Sequence, residues 1–156
     1  MKSVSIYLFG SWAWLVFSVV LLVMVCCFPF TRTVASTRKL AKNCSAAIIK
    51  LIGIELIVEG SENLVDEPSV LVANHASYTD PMILQAALPS HYAYVAKKEL
   101  KHIPFAVYVL GKMGTHLVDR RDAKEGANDF KKIMQSNKDK DSIIFFPEAT
   151  FLKEKG

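Results

Sequence analysis

The sequence predicts an α/β fold behind an amino-terminal helical segment directed at a membrane, and three observations carry that prediction. Residues 54–156 alternate short apolar runs with stretches of helical period. The apolar runs Val70-Leu71-Val72-Ala73 and Ile143-Ile144-Phe145-Phe146 lack a period-two alternation, as expected of strands covered on both sheet faces. Ahead of them, Ser3 to Thr31 carries no charged residue.

The elements follow in order. Ile6 to Phe30 is a 25-residue apolar run holding Trp12, Trp14 and Phe17. At about 1.5 Å rise per residue it crosses a hydrocarbon core of roughly 30 Å with slack for tilt. A cleaved signal has a shorter apolar core and a small-residue cleavage site, whereas this run ends in Cys-Cys-Phe-Pro-Phe. Residues 1–31 are therefore read as a transmembrane anchor. Lys2 stands alone before the run, while Arg32, Arg38, Lys39, Lys42 and Lys50 follow it, so the positive-inside rule puts the rest of the chain on the cytoplasmic side.

Residues 32–53 read as a basic amphipathic helix. Leu40, Cys44, Ala47 and Leu51 share one stripe, widened by Ala41, Ile48 and Ile52, with Arg38, Lys39, Lys42 and Lys50 projecting elsewhere. Such a helix either faces the core of the following domain or lies on anionic headgroups. In 54–156, strands are expected at Ile54–Glu59, Val70–Ala73, Tyr92–Ala96, Thr115–Val118 and Ser142–Phe146. Helices are expected at Pro81–Leu88, Phe105–Leu110 and Ala123–Gln135.

Composition narrows the class. Of 156 residues, 51% are hydrophobic and 22% charged, with a mean hydropathy of +0.24, which excludes a disordered or collagen-like chain. The net charge of +4 hides +6 over residues 1–54 and −2 over the rest. A basic first third suits an anionic membrane surface and not a nucleic-acid groove. Cys26, Cys27 and Cys44 make no even disulfide framework and read as small apolar fillers.

Polar residues gather where the apolar runs end, and open α/β sheets bind ligands outside the carboxyl ends of their strands. His75 follows one run, and Asp80 five residues later can hold one imidazole nitrogen, making the other a general base. Equally, an Asp before Pro81 caps a helix and a His at a strand end is a satisfied surface group. Ser77 is a possible nucleophile without an elbow pattern around it. His75, His91, His102 and His116 have neither paired spacing nor a neighbouring cysteine cluster, so no metal site is expected. Arg120 and Arg121 offer a guanidinium fork for a phosphate, or a solvated basic pair ahead of a helix. Glu148 suits a polyol, an arginine partner, or a turn.

Taken together, Asn74-His75-Ala76-Ser77-Tyr78-Thr79-Asp80, Gly114 to Arg120 and Phe146-Pro147-Glu148-Ala149-Thr150 resemble three ordered blocks of the glycerolipid acyltransferase family. Residues 96–105 are similar to the segment between the first two. The resemblance implies a mixed sheet flanked by helices over residues 54–156. It also implies transfer of an acyl group from a thioester, on coenzyme A or acyl carrier protein, to the hydroxyl of a lysophospholipid or glycerol-phosphate acceptor in phospholipid biosynthesis. By it, His75 is the general base oriented by Asp80, Arg120 binds the acceptor phosphate, and Glu148 and Thr150 shape the acceptor site, with no metal or cofactor.

Two departures accompany the resemblance. Ala149 stands where the third block usually has glycine, and Phe151 where an arginine commonly follows the threonine. The family's fourth block is expected after residue 156, so the domain is read as incomplete at its carboxyl end. The alternative is a catalytically inactive, membrane-anchored paralogue that binds lipid or a partner. A third reading is a hydrolase using the same dyad on lipid esters.

Overall fold

Two antiparallel helices precede the sheet and pack along each other. The computed structural model describes residues 2–119, 123–136 and 141–147. Helix α1 (Lys2–Cys27) runs into a 3₁₀ turn at Phe28–Phe30 around Pro29, and Phe28 is fully buried. Val4–Phe30 is long and apolar enough to cross a membrane. One side of α1 is nonetheless engaged with the domain: Trp12 Nε1 donates to the carbonyl of Leu51, 3.1 Å away at the far end of the second helix. Ile6, Tyr7, Leu8 and Trp14 of the same helix are exposed.

Helix α2 (Val34–Ile52) opens with a capping box. The Thr33 hydroxyl accepts from the Ser36 amide and the Ser36 hydroxyl accepts from the Thr33 amide, both at 3.1 Å, satisfying two donors that a helix start leaves without intrahelical partners. It closes on Gly53, whose φ of 85° is the left-handed conformation that glycine adopts without Cβ strain. Its buried face is centred on Thr37, Ala41, Ser45, Ile48 and Ile49, one position off the expected stripe, and Leu51 is exposed.

The expectation that Arg38 projects outward is corrected. Arg38 is only 3% exposed and its guanidinium ties together the chain just before three strands. Nε donates to the carbonyl of Met113 at 2.7 Å, Nη2 to that of Gly114 at 3.3 Å, Nη1 to that of His91 at 3.4 Å, and Nη1 lies 2.9 Å from Asp141 Oδ1. A planar fork with five donors can serve several acceptors at once, which is why an arginine is tolerated here. Gly114 makes room for it: a Cβ there would lie 2.9 Å from Arg38 Nη2, at a φ of 63°. Lys42 likewise turns inward, donating to Leu88 O at 2.8 Å.

The sheet contains β1 (Val70–Val72), β2 (Tyr92–Lys97), β3 (His116–Val118) and β4 (Ser142–Phe145), in spatial order β1-β4-β2-β3. Every described pair is parallel, so the sheet expected to be mixed is parallel over the described residues. The reason lies in the connections: α3 (Asp80–Ala87), α4 (Pro104–Lys112) and α5 (Ala123–Ser136) each carry the chain back to the amino edge before the next strand begins. The expected strand at Ile54–Glu59 is irregular chain in the structure, with Ile57 and Val58 exposed. No described strand lies beside it to complete its backbone hydrogen bonds.

Successive residues of β4 serve opposite layers. Ile144 and Phe146 pack with Leu88 and Tyr92 on one face, and Ile143 packs with Val95, Val118 and Ile133 on the other. Helix α5 covers the second face closely, and a Cβ at Gly126 would meet the carbonyl oxygen of Asp119 at 2.5 Å.

Candidate active site

Because the strands are parallel, their carboxyl ends share one edge, where residues 73–80, 97–98, 119 and 146–147 come together. Ala73 extends the β1 ladder by one bond, its amide donating to Phe145 O at 3.0 Å, and the chain then leaves the sheet at Asn74. This delivers His75 beside the end of β4, where its ring packs on that of Phe146 with centroids 4.5 Å apart.

His75 Nδ1 lies 3.0 Å from Asp80 Oδ2. The same carboxylate oxygen accepts from the amides of Ala76 and Ser77, each at 2.8 Å. Asp80 was expected to cap the following helix, but the N-cap is Thr79, with no side-chain cap bond, and Asp80 begins the first turn with its carboxylate turned back into the loop. Burial pushes its carboxyl up, yet the Ser77 amide, the His75 ring and the Ala76 amide outweigh burial and leave it below the ordinary carboxylate range. A persistently ionised carboxylate selects the tautomer with a proton on Nδ1 and leaves Nε2 as the basic nitrogen. Ser77 serves the turn: its hydroxyl lies 2.9 Å from that of Thr79 and accepts from the Thr79 amide.

A cleft of about 550 Å³ reaches this dyad. Phe17, Leu21 and Met24 of α1 and Ile48 of α2 form part of its wall, with Leu110 and Met113 on another side. Tyr94 also lines it, donating its hydroxyl to Pro81 O at 3.1 Å, and burial pushes that phenol well above its usual range. At the open edge, Lys98 Nζ lies 3.8 Å from Asp119 Oδ2 and 3.9 Å from Asp129 Oδ2. The arrangement joins a base–carboxylate pair to an apolar slot of the size of a small-ligand site.

Of the residues singled out from sequence, the structure brings His75 and Asp80 together. Arg120, Glu148 and Thr150 lie outside the described residues, as do Ala149 and Phe151. Sequence reasoning missed Phe146 as the platform under the imidazole, and it missed the cleft. The spacing of Phe17, Leu21 and Met24 is a helical face, but it is invisible in a segment that is apolar all round.

Comparison with known proteins bears on this site. The acyltransferase family model matches residues 55–156. A 1-acyl-sn-glycerol-3-phosphate acyltransferase of Saccharomyces cerevisiae is 33% identical over 109 residues, covering 69% of this chain and 36% of the yeast protein. Proteins of the same name from Borreliella burgdorferi and Helicobacter pylori are 34% and 32% identical, covering 69% and 87% of this chain and 43% and 56% of theirs. The chain thus spans roughly a third to just over half of the length of these relatives. The crystal structure of a 1-acyl-sn-glycerophosphate (LPA) acyltransferase from Thermotoga maritima superposes with a TM-score of 0.71 at 20% identity, over 99% of this chain and 65% of that one, which speaks to the fold. With its family blocks in order and the family model matched across the whole α/β part, the chain belongs to the glycerolipid acyltransferase family.

Proposed function

We propose that the protein transfers an acyl group from a thioester, carried by coenzyme A or acyl carrier protein, to the hydroxyl of a lysophospholipid or glycerol-phosphate acceptor. The observation that carries this reading is the His75–Asp80 pair at the apolar cleft. His75 Nε2 takes the acceptor's hydroxyl proton as the oxygen attacks the thioester carbonyl. The tetrahedral intermediate collapses, the carbon–sulfur bond breaks, and the His75 imidazolium gives its proton to the leaving sulfur, which departs as the free thiol. Asp80 holds the ring and stabilises the imidazolium formed on the way. The cleft suits an acyl chain, since its walls offer apolar contact along α1 and α2. Arg120 is assigned to the acceptor phosphate, with Glu148 and Thr150 shaping the acceptor site, by resemblance to the family's blocks.

Helix α1 brings the site to its lipid. Its basic carboxyl-terminal flank assigns the catalytic domain to the cytoplasmic side, as a single-pass anchor would. The seating of Trp12 to Met24 against α2 and the cleft favours a second geometry, with α1 lying in the near leaflet beside the domain.

The test is release of thiol from acyl-coenzyme A or acyl carrier protein in the presence of 1-acylglycerol phosphate. Wild-type protein is expected to release thiol only when acceptor is present, and His75→Ala to abolish it. Fatty acid release without acceptor indicates a hydrolase. Lipid binding with no turnover indicates a binding paralogue.

A further inference from the structure

We propose that the outward face of α4 is a second membrane-contact surface, seated on the same anionic bilayer as α1. The inference rests on the reading of α1 as a membrane segment and concerns a part of the molecule which that reading does not use.

From Ile103 to Gly111 there is no charged residue. A helix apolar on every side is ordinarily buried in protein or in lipid, and the described chain fully buries no residue of α4. Leu110 turns into the cleft, while Ile103, Phe105, Val107 and Tyr108 are 50%, 54%, 46% and 38% exposed. Phe105 and Tyr108 lie one turn apart on one side of α4, and Ile103 and Val107 lie on another, so large apolar side chains are exposed on more than one side of this helix, which soluble surfaces avoid unless something covers them.

Its surroundings identify the cover. Tyr108 meets Phe28 at the end of α1 with ring centroids 6.5 Å apart, and α1 and α4 wall the same cleft. The carboxyl end of α1 and α4 therefore lie close together on one flank of the sheet, so a bilayer that takes up the first lies near the second. Exposed Lys101 precedes these residues and Lys112 follows them. Cations bracketing an apolar turn match anionic headgroups around an acyl boundary. The opposite flank of the sheet is covered by α5, which shows Lys131 and Lys132 to solvent. A second contact has a mechanical result. A single helix in a leaflet leaves the domain able to roll about that helix's axis, and α4 removes this freedom, fixing the cleft relative to the lipid.

The test uses single-tryptophan forms of the full chain in vesicles of phosphatidylcholine and phosphatidylglycerol whose acyl chains carry bromine. Phe105→Trp and, separately, Met134→Trp are made with Trp12→Phe and Trp14→Phe, and a third form keeps Trp14 with Trp12→Phe. Met134 is exposed on α5. The Phe105→Trp reporter is expected to lose about half of its emission with a blue shift, as for a side chain within about 5–10 Å of the acyl boundary. The Met134→Trp reporter stays unquenched. Tyr108→Trp gives an independent reading of the same face if Phe105→Trp folds poorly. Quenching at Trp14 with none at either α4 reporter overturns the proposal and leaves the α1 reading intact. Quenching at the α4 reporters without any at Trp14 refutes the α1 reading instead. An α4 reporter shielded from aqueous acrylamide only as protein concentration rises, and never quenched by bromine, makes a second copy of the chain the occupant and overturns the proposal.

Discussion

Replacing Asp80 by Asn separates the two jobs of this carboxylate. Its Oδ2 takes three N–H donors, from Ala76 and Ser77 at 2.8 Å and from His75 at 3.0 Å. An Asn carbonyl can still accept from the loop amides, so the loss is the charge assistance, which roughly doubles a hydrogen bond. With the side chain 21% exposed, solvent trims that loss, and stability falls by about 1–2 kcal/mol. The chemical loss is larger. An amide offers no charge to the imidazolium, so the ring is less stabilised as it takes the acceptor's proton. The expected fall in kcat is about 10²–10⁴, or roughly 3–5 kcal/mol, with the acceptor KM little changed. Thiol release with 1-acylglycerol phosphate measures the first quantity, and thermal unfolding of the same sample measures the second. Asp80→Asn retaining more than about a tenth of wild-type kcat, in protein that unfolds as wild type does, refutes the orienting role.

Other perturbations address the frame. Arg38→Met removes the donors of a buried guanidinium, and the stability cost is about 3–5 kcal/mol; Arg38→Lys recovers part of it, because an ammonium cannot fork to several carbonyls. Denaturant titration in detergent checks both, and a loss under about 1 kcal/mol for Met is incompatible with the clamp described here. His116 should make the fold acid-sensitive. Burial, then the Arg38 charge, lowers its pKa against an opposing pull from Asp141, and its Nε2 has no hydrogen-bond partner among the described residues. Below about pH 6.5 the unfolded chain binds a proton that the folded one refuses, so stability falls as pH drops through that window toward the folded value. His116→Leu should flatten this slope in unfolding curves taken across the window.

Much of this was legible from residue order. The strand at 142–145 and its exit toward Phe146 follow from an uninterrupted apolar run, and the His75–Asp80 pair from a five-residue turn after another. Ile54–Glu59 misled because apolar content makes a strand only when a neighbour supplies hydrogen bonds. Arg38 misled because a charge on an amphipathic helix ordinarily faces water, and three of its acceptors are main-chain carbonyls that leave no trace in side-chain pattern. The cleft was hidden for a related reason: a helix apolar all round gives no sign of which side touches the rest of the protein.

The guanidinium clamp also dictates a sequence of events in folding. Arg38 meets Asp141 across a separation of 103 residues. Contacts at that distance form late, because the closure entropy of the intervening chain must first be overcome. On a ribosome, α2 would emerge long before the carboxylate that completes its socket exists. Until β4 is laid into the middle of the sheet, the two leading helices have no finished surface to dock on, and the apolar slot between them and the sheet does not exist. Assembly of the half that holds the two leading helices thus waits on the last of the described strands.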